Sequence, residues 1–182
     1  MSDAGLVLAA GEGRRFGGPK QLALVGGRPL VEHAVAAVAE VLDRVVVVLG
    51  ARADEVRRGA DLTGAEVVMC ADWAEGLGAS VRCGVAALAG ADRVLVAVAD
   101  QPGLTPAAVR AVLARPGSAR AVYDGRPGHP VVLGPELLAR ARDLRGDVGF
   151  RDLLSSVPAV ECGQLGDWRD IDTREDLEVV QR

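Results

Sequence analysis

The sequence predicts an α/β protein, a Rossmann-like three-layer αβα sandwich with a mostly parallel sheet, because short β-branched runs alternate with helical patterns. Each run is almost continuously hydrophobic, as in strands that are covered by helices on both faces. The clearest runs are residues 6–9, 45–49, 67–70 and 94–99. Between them, apolar residues recur at helical spacing. They are Val31, Val35, Val38 and Leu42, then Val81, Val85 and Leu88, then Val109, Val112 and Leu113.

The last third of the chain continues this pattern less clearly. We expect a loop over residues 125–130, a strand over 131–133, and helices introduced by Pro135 and Gly149. No internal repeat or linker interrupts the chain. Its 182 residues suit one domain spanning residues 1–182, since a core of this size buries most of the surface that the unfolded chain exposes.

Composition excludes several classes of protein. A hydrophobic fraction of 49% with 25% charged residues is globular, and a net charge of -4 disfavours a broad nucleic-acid-binding face. The apolar run at residues 5–10 has no basic segment before it, so we expect neither signal peptide nor membrane partner and a cytoplasmic location. Three cysteines without close paired spacing argue against disulfides or a zinc site.

The first predicted strand runs into a loop rich in glycine and basic residues, LAAGEGRRFGGPKQL, at residues 8–22. Glycines let backbone N–H groups approach phosphate oxygens, and cations neutralise the phosphate charge. The composition therefore predicts a cradle for a triphosphate. The residues concerned are Gly11, Gly13, Gly17 and Gly18 with Arg14, Arg15 and Lys20.

A dinucleotide-binding Rossmann turn is the alternative for this loop, since three of its glycines approximate that fingerprint. Such a turn opens directly into a helix, which the Gly-Gly-Pro at residues 17–19 prevents. The second strand also ends in Leu49-Gly50, where a ribose-binding acid would belong. Both observations disfavour a dinucleotide.

Lys20 is the only lysine of the chain, in which the other 20 basic residues are arginines. A compact ammonium contacts phosphates as a point charge where a planar guanidinium does not fit, which is a physical reason for the exception. The alternative is a solvated surface lysine.

At these residues the chain resembles the nucleotidyltransferase family that attaches CMP or GMP to molybdopterin, with a more distant likeness to sugar-phosphate nucleotidyltransferases. The resemblance spans nearly the whole chain, and Gly13 and Arg174 depart from it by replacing a common serine and a common proline. Supporting motifs are GLGASVRCG at 76–84, VADQP at 98–102, GHP at 128–130, GDVGFRDLL at 146–154 and DIDT at 170–173.

The resemblance implies that Arg15 and Lys20 contact the triphosphate and act in catalysis. It also implies that the first loop binds the nucleotide, through Leu8, Ala9, Ala10, Gly11 and Gly13. The sequences Leu8-Ala9-Ala10-Gly11 and Pro19-Lys20-Gln21 are similar to the cytidylyl branch of the family, since the guanylyl branch usually has a second glycine at the position of Ala10. CTP is therefore the expected donor.

Asp100 follows a buried run, so its carboxylate is expected at the carboxyl end of a strand, where α/β sheets place their ligand crevice. There it could act in catalysis and hold Mg²⁺, which prefers one or two carboxylates plus phosphate oxygens. The resemblance implies Asp172 as the second metal ligand, with Asp170 in reserve. The alternatives are a turn-starting role for Asp100, and for Asp172 the start of a helix capped by Thr173 and Asp176.

Three further residues are weaker candidates. Ser80 begins a helical stripe, where it contacts the nucleotide, caps the helix, or does both. His129 lies between Gly128 and Pro130, where the resemblance implies an acceptor pocket; a plain loop histidine is the alternative. Arg151 follows Asp147 into a helix, where it either meets an acceptor phosphate or is solvated.

Together these observations predict a Mg²⁺-dependent nucleotidyltransferase that transfers CMP from CTP to the terminal phosphate of molybdopterin and releases pyrophosphate. Guanylyl transfer, or transfer to a sugar phosphate or other small phosphate acceptor, remains open. A regulatory protein that binds nucleotide without catalysis is the alternative from another class. A recipient molybdoenzyme or chaperone for the product has no signature in the sequence.

Overall fold

A computed structural model of the chain describes residues 2–144, 146 and 148–181. Its nine strands are β1 (Asp3–Ala9), β2 (Leu24–Val25), β3 (Arg28–Pro29), β4 (Val45–Leu49), β5 (Glu66–Met69), β6 (Arg93–Val98), β7 (Ala119–Tyr123), β8 (Arg126–Leu133) and β9 (Ala159–Glu161). The helices are α1 (Leu30–Ala39), α2 (Ala53–Gly59), α3 (Leu77–Ala87), α4 (Pro106–Leu113), α5 (Pro135–Ala141), α6 (Val148–Leu153) and α7 (Arg174–Val180). Short 3-10 helices cover Lys20–Leu22 and Trp73–Glu75.

A seven-stranded, mostly parallel sheet forms the centre, in the order β5-β4-β1-β6-β8-β7-β9, with β2 and β3 as a separate hairpin. The pairs β5-β4, β4-β1, β1-β6 and β7-β9 are parallel, whereas β8 runs antiparallel to β6 and β7. This confirms the predicted fold class and the four strands expected from their hydrophobic runs.

The strands of the sheet centre are buried on both faces. In β1, Val7 packs against the cluster that includes α1, α2 and α4, while Leu6 and Leu8 pack against the cluster that includes α3, α5 and α6. This alternation explains why the central strands are almost continuously hydrophobic. Because helices cover both faces of the sheet, a polar ligand site is expected in the loops at the carboxyl ends of the parallel strands.

The prediction of a loop over residues 125–130 is wrong, because β8 already begins at Arg126. Asp124 and Gly125 both have positive φ angles, of 50° and 80°, and turn β7 directly into β8. An Asp-Gly pair is a strong hairpin signal, since both residues tolerate this backbone region. This hairpin signal outweighs Pro127, Gly128 and Pro130, which favour a loop.

The first loop leads into the 3-10 helix at Lys20–Leu22 and not into an α-helix, which begins only at Leu30. This agrees with the sequence argument against a dinucleotide-binding turn. All three cysteines are free thiols. Within the described part of the chain, every helix is too short or too polar to cross a lipid bilayer.

Candidate active site

A cleft of about 590 Å³ opens at the carboxyl ends of β1 and β6. The first loop forms one side of it, Asp100 lies at its base, and the start of α3 forms the other side. The predicted nucleotide-binding residues all line this cleft. They are Leu8, Ala9, Ala10, Gly11, Gly13, Arg15, Lys20 and Ser80.

The first loop is held in a tight turn at Gly13. The Gly13 carbonyl oxygen accepts hydrogen bonds from the backbone nitrogens of Gly17 at 2.9 Å and Gly18 at 3.3 Å. Gly13 has a φ angle of +70°, and a Cβ atom there would lie 2.1 Å from the Gly18 carbonyl oxygen. A side chain at this position would collide with that carbonyl oxygen, so the observed turn requires glycine here.

Gln21 fastens this loop to the end of β1. Its side chain is buried, and Nε2 donates to the carbonyl oxygens of Ala9 at 2.8 Å and Gly11 at 2.6 Å. Buried hydrogen bonds of this kind hold the nucleotide-binding backbone in one conformation. Sequence reasoning used Gln21 only as a mark of the cytidylyl branch and missed this contact.

Lys20 lies between two carboxylates, because the fold brings Asp100 and Asp172 to the same point. Its Nζ donates to Oδ2 of Asp100 at 2.5 Å and to Oδ1 of Asp172 at 2.8 Å. Arg15 donates to the other carboxylate oxygen of Asp172 at 2.9 Å. The four charged residues predicted as phosphate and metal contacts therefore form one cluster.

Burial and charge act in opposite directions on this cluster. Burial lowers the pKa of Lys20, but the charges and hydrogen bonds of Asp100 and Asp172 outweigh it and leave the pKa above its usual value. Burial likewise opposes ionisation of Asp172, yet Lys20 and Arg15 hold the pKa of Asp172 below its usual value. Lys20 and Asp172 are therefore charged at neutral pH.

Asp170 differs from its two acidic neighbours. Although part of its surface is exposed, burial of the carboxyl and the charges of Asp100 and Asp172 raise its pKa to about 7. Among the described residues, Lys20 forms its ion pairs with Asp100 and Asp172 and not with Asp170. Asp172 thus remains the preferred partner of Asp100, with Asp170 in reserve.

Backbone hydrogen bonds hold the loop after β6 against the loop that precedes α7. The Ile171 nitrogen donates to the Asp100 carbonyl oxygen at 2.8 Å, and the Asp167 nitrogen donates to the Gly103 carbonyl oxygen at 3.1 Å. Buried Gln101 adds a side-chain bond to the Asp167 carbonyl oxygen at 2.8 Å. Asp100 and Asp172, far apart in sequence, are positioned by these contacts.

A small apolar cluster joins the first loop to the same region. Buried Phe16, Leu30 and Ile171 pack together, and the Arg174 guanidinium lies 5.3 Å from the centre of the Phe16 ring. The cluster places Phe16, one residue after Arg15, beside Ile171, one residue before Asp172. The pairing of Arg15 with Asp172 follows from this packing.

The close approach of these loops leads to a testable expectation at Gly103. A Cβ atom at this position would lie 2.7 Å from the Asp167 carbonyl oxygen and 2.9 Å from its Cα. We expect Gly103→Ala to push Asp172 away from Asp100, lower kcat, and reduce the free energy of unfolding by about 1–3 kcal/mol. Urea unfolding separates the two effects. An unchanged kcat in the folded variant would contradict the positioning role of this contact.

Asp100 and Asp172 offer carboxylate oxygens, the kind of ligand that a divalent cation such as Mg²⁺ prefers. One oxygen of each already converges on a single cation, the ammonium of Lys20. No group of three or more His, Cys, Asp or Glu side chains in the described ranges is arranged to hold a metal ion. Mg²⁺ needs no such cage, because it takes its remaining ligands from phosphate and water.

Helix α7 is capped without the side chain of Asp172. Thr173 caps the helix and forms a capping box with Asp176, as the sequence alternative held. The Asp172 side chain takes no part in that box and faces Lys20 and Arg15 instead.

The opposite wall of the cleft comes from α3 and the short helix before it. Ser80 is buried in the wall and lies inside α3, whose N-cap is Gly76, so the capping alternative for Ser80 is wrong. Trp73 and Leu77 also line the cleft. Sequence reasoning missed Trp73, although it is one of only two tryptophans in the chain.

The two acceptor candidates are not among the residues that line the cleft, although His129 is near enough to Asp100 to feel its charge. His129 Nε2 is buried without a hydrogen-bond partner among the described residues, and burial lowers the pKa of His129 to about 4. Its carbonyl oxygen accepts from Tyr123 at 2.7 Å and from Gln101 at 3.2 Å. Arg151 is exposed on α6, and Asp147 of the same motif lies outside the described residues.

Comparison with known proteins finds a family model that matches most of the chain. Residues 5–161 match the model of the MobA-like NTP transferase domain. The chain is 38% identical to nicotine blue oxidoreductase of Paenarthrobacter nicotinovorans, over 95% of this chain and 93% of the relative.

Solved structures give the same fold. Rv0371c of Mycobacterium tuberculosis H37Rv superposes with a TM-score of 0.88 at 27% identity, covering 100% of this chain and 97% of the other. Its manganese complex gives a TM-score of 0.81 at 25% identity, with 100% and 98% covered. A nucleotidyl transferase from Methanothermobacter, Mth528, gives 0.79 at 27% identity, with 99% and 96% covered.

Proposed function

Because the chain belongs to the MobA-like NTP transferase family, we propose that it transfers CMP from CTP to the terminal phosphate of molybdopterin, with release of pyrophosphate. The observation that carries the proposal is the meeting of Lys20 and Asp100, which line the cleft, with Asp172, which bonds to Lys20. A protein that only binds nucleotide does not need two carboxylates, such as Asp100 and Asp172, beside the lysine that is proposed to bind phosphate. Nucleotidyl transfer needs both charges at the reacting phosphates.

The chain's own residues bind, orient and neutralise the substrates in this proposal. The backbone of the first loop, fixed by Gln21 and Gly13, holds the triphosphate. Lys20 and Arg15 contact its phosphates and stabilise the departing pyrophosphate. The acceptor phosphate attacks the α-phosphorus in line with this leaving group, so positioning and electrostatics supply most of the rate.

Asp100 and Asp172 would hold the Mg²⁺ of the reaction. When bound, this ion supplies positive charge to the reacting phosphates. The manganese complex of Rv0371c supports a divalent metal in this fold. His129 and Arg151 remain the proposed acceptor contacts, with His129 acting through a neutral ring at neutral pH because its pKa is low.

The test is a screen of nucleoside triphosphates against phosphate acceptors with Mg²⁺, in which pyrophosphate release is followed. Release that requires both CTP and molybdopterin supports the proposal. Pyrophosphate release with sugar phosphates and not with molybdopterin would show that the acceptor is a sugar phosphate. Tight nucleotide binding without pyrophosphate release would favour a regulatory protein.

Donor choice gives a quantitative expectation at Ala10. Ala10 lines the cleft and packs closely against Gly50. A Cβ atom added at Gly50 would lie only 2.9 Å from the methyl carbon of Ala10, so the cleft wall is tightly packed here. We expect kcat/KM to favour CTP over GTP by roughly 10- to 200-fold, the usual range for one methyl in a pocket. Ala10→Gly should narrow this ratio.

The measurement compares kcat/KM for CTP and for GTP, at saturating acceptor, in the wild type and in Ala10→Gly. A wild-type preference for GTP would remove the cytidylyl assignment and leave nucleotidyl transfer intact. An unchanged ratio in Ala10→Gly would show that another part of the cleft selects the base.

One specific observation favours a second candidate function. A relative that is 38% identical over 95% of this chain is named nicotine blue oxidoreductase, so reduction of nicotine blue is the alternative activity. The first loop argues against it because it lacks a dinucleotide-binding helix. Oxidation of NADH or NADPH by the purified protein with nicotine blue, without pyrophosphate release under any condition of the screen, would favour the oxidoreductase.

A further inference from the structure

A second hollow, of about 540 Å³, lies between α7 and the loop that precedes it. Its volume is in the range of small-molecule sites. Arg15 lines both this second hollow and the nucleotide cleft, and Asp172 lines the second hollow. A ligand in the second hollow therefore lies next to the phosphates that the cleft is proposed to hold.

Part of the lining of the second hollow is apolar and exposed. Trp168 is 37% exposed and Val179 is 53% exposed, and both line it together with Val180. Apolar side chains that are exposed singly need no explanation. Here they share one hollow with an arginine, so the lining suits a molecule with an apolar part and an anionic part.

The indole ring of Trp168 supplies the flat surface of this lining. The guanidinium of Arg126 lies 4.5 Å from the ring centre and attracts the ring electrostatically. Arg126 lines a neighbouring hollow and not the second hollow, whereas Trp168 lines both. The ring thus offers surface to the second hollow, where another flat ring can stack on it.

Two charged residues of the lining are engaged within the protein. Arg169 pairs with Asp167 at 2.5 Å, and the Asp176 carboxylate accepts from Thr173 at the start of α7. A ligand with many hydroxyls gains less here than a flat apolar ring, because each buried hydroxyl needs its own hydrogen-bond partner.

We propose that the second hollow binds the ring end of the acceptor against Trp168, Val179 and Val180, with the acceptor phosphate towards Arg15, so that Trp168 selects aromatic or heterocyclic phosphates over sugar phosphates. The inference rests on the proposed function, since it concerns the acceptor of that reaction. The family match ends at residue 161, before all three apolar residues. The selectivity therefore lies outside the segment that matches the family model.

Naphthyl phosphate is the probe for the test, and glucose phosphate is its sugar counterpart, both titrated by calorimetry without CTP. We expect the wild type to bind naphthyl phosphate at least about fivefold tighter than glucose phosphate. Trp168→Ala should weaken binding of naphthyl phosphate about 5- to 150-fold, the usual effect of removing one stacked aromatic side chain, and leave glucose phosphate unchanged. Met69→Ala is the matched control, because it removes a 50% exposed apolar side chain outside both hollows.

Trp73→Ala separates the two locations for the ring, since Trp73 lines the nucleotide cleft. Weaker binding of naphthyl phosphate in Trp73→Ala and not in Trp168→Ala would overturn the inference. Equal affinity of the wild type for both phosphates would also overturn it, without depending on the folding of a variant. Because calorimetry measures binding without turnover, Trp168-dependent binding with no pyrophosphate release in the acceptor screen would overturn the proposed function and leave the ring site intact.

Discussion

Asp100→Asn is expected to lower kcat by at least about 100-fold, the size of effect found when one preorganised charge contact is removed from a reacting centre. Asparagine keeps the shape of the side chain but removes the negative charge that faces Lys20 at the base of the cleft. The carbonyl oxygen of residue 100 still accepts from Ile171, so the fold is retained. Pyrophosphate release measures kcat, and circular dichroism checks folding.

A matched control removes an equal charge elsewhere. Asp43 is exposed in the connection between α1 and β4, at the opposite end of the strands from the cleft, so Asp43→Asn should leave kcat unchanged. Wild-type activity in a folded Asp100→Asn variant would remove Asp100 from the metal site.

Lys20→Arg should lower kcat/KM roughly tenfold or more despite keeping the positive charge. The Lys20 ammonium fits between two carboxylates on a side chain that is mostly buried, and a planar guanidinium is too large for that point. Titration of CTP at fixed acceptor gives kcat and KM separately. We expect both to change, because Lys20 contacts phosphate in the bound and in the reacting state.

Lys20→Met completes the series, since it removes the charge but keeps the length of the side chain. Its loss of kcat should exceed that of Lys20→Arg, at about 100- to 1000-fold. If Lys20→Arg matches the wild type at both limiting and saturating CTP, the need for a compact cation is wrong and charge alone suffices.

The central strands β1, β4 and β6 could be predicted from the sequence because they are hydrophobic on both faces. The edge strand β5 was predicted from its short apolar run, although it is only partly buried. β7 and β9 gave no such signal, since their burial alternates or is slight and they lie towards one side of the sheet. Residue type along a short strand does not reveal pairing that depends on distant segments.

Two members of the charged cluster had a local signal in the sequence. Lys20 is a unique residue and Asp100 follows a buried strand, whereas Asp172 was indicated by the family resemblance, since its place before a capped helix supported the alternative. Gln21 and Gln101 were missed as positioning residues, because their amides bond to carbonyl oxygens that only the fold brings near. The burial of His129 Nε2 likewise depends on neighbours distant in sequence.

The most direct test of the central claim follows the fate of the donor phosphates. CTP labelled with radioactive phosphorus at the α position, or in a parallel reaction at the γ position, is incubated with molybdopterin, Mg²⁺ and the protein. We predict the α label in the acceptor product and the γ label in pyrophosphate, in equal amounts, with both lost in Asp100→Asn. Release of the γ label as inorganic phosphate, with the α label left in CDP, would show hydrolysis in place of transfer and contradict the account.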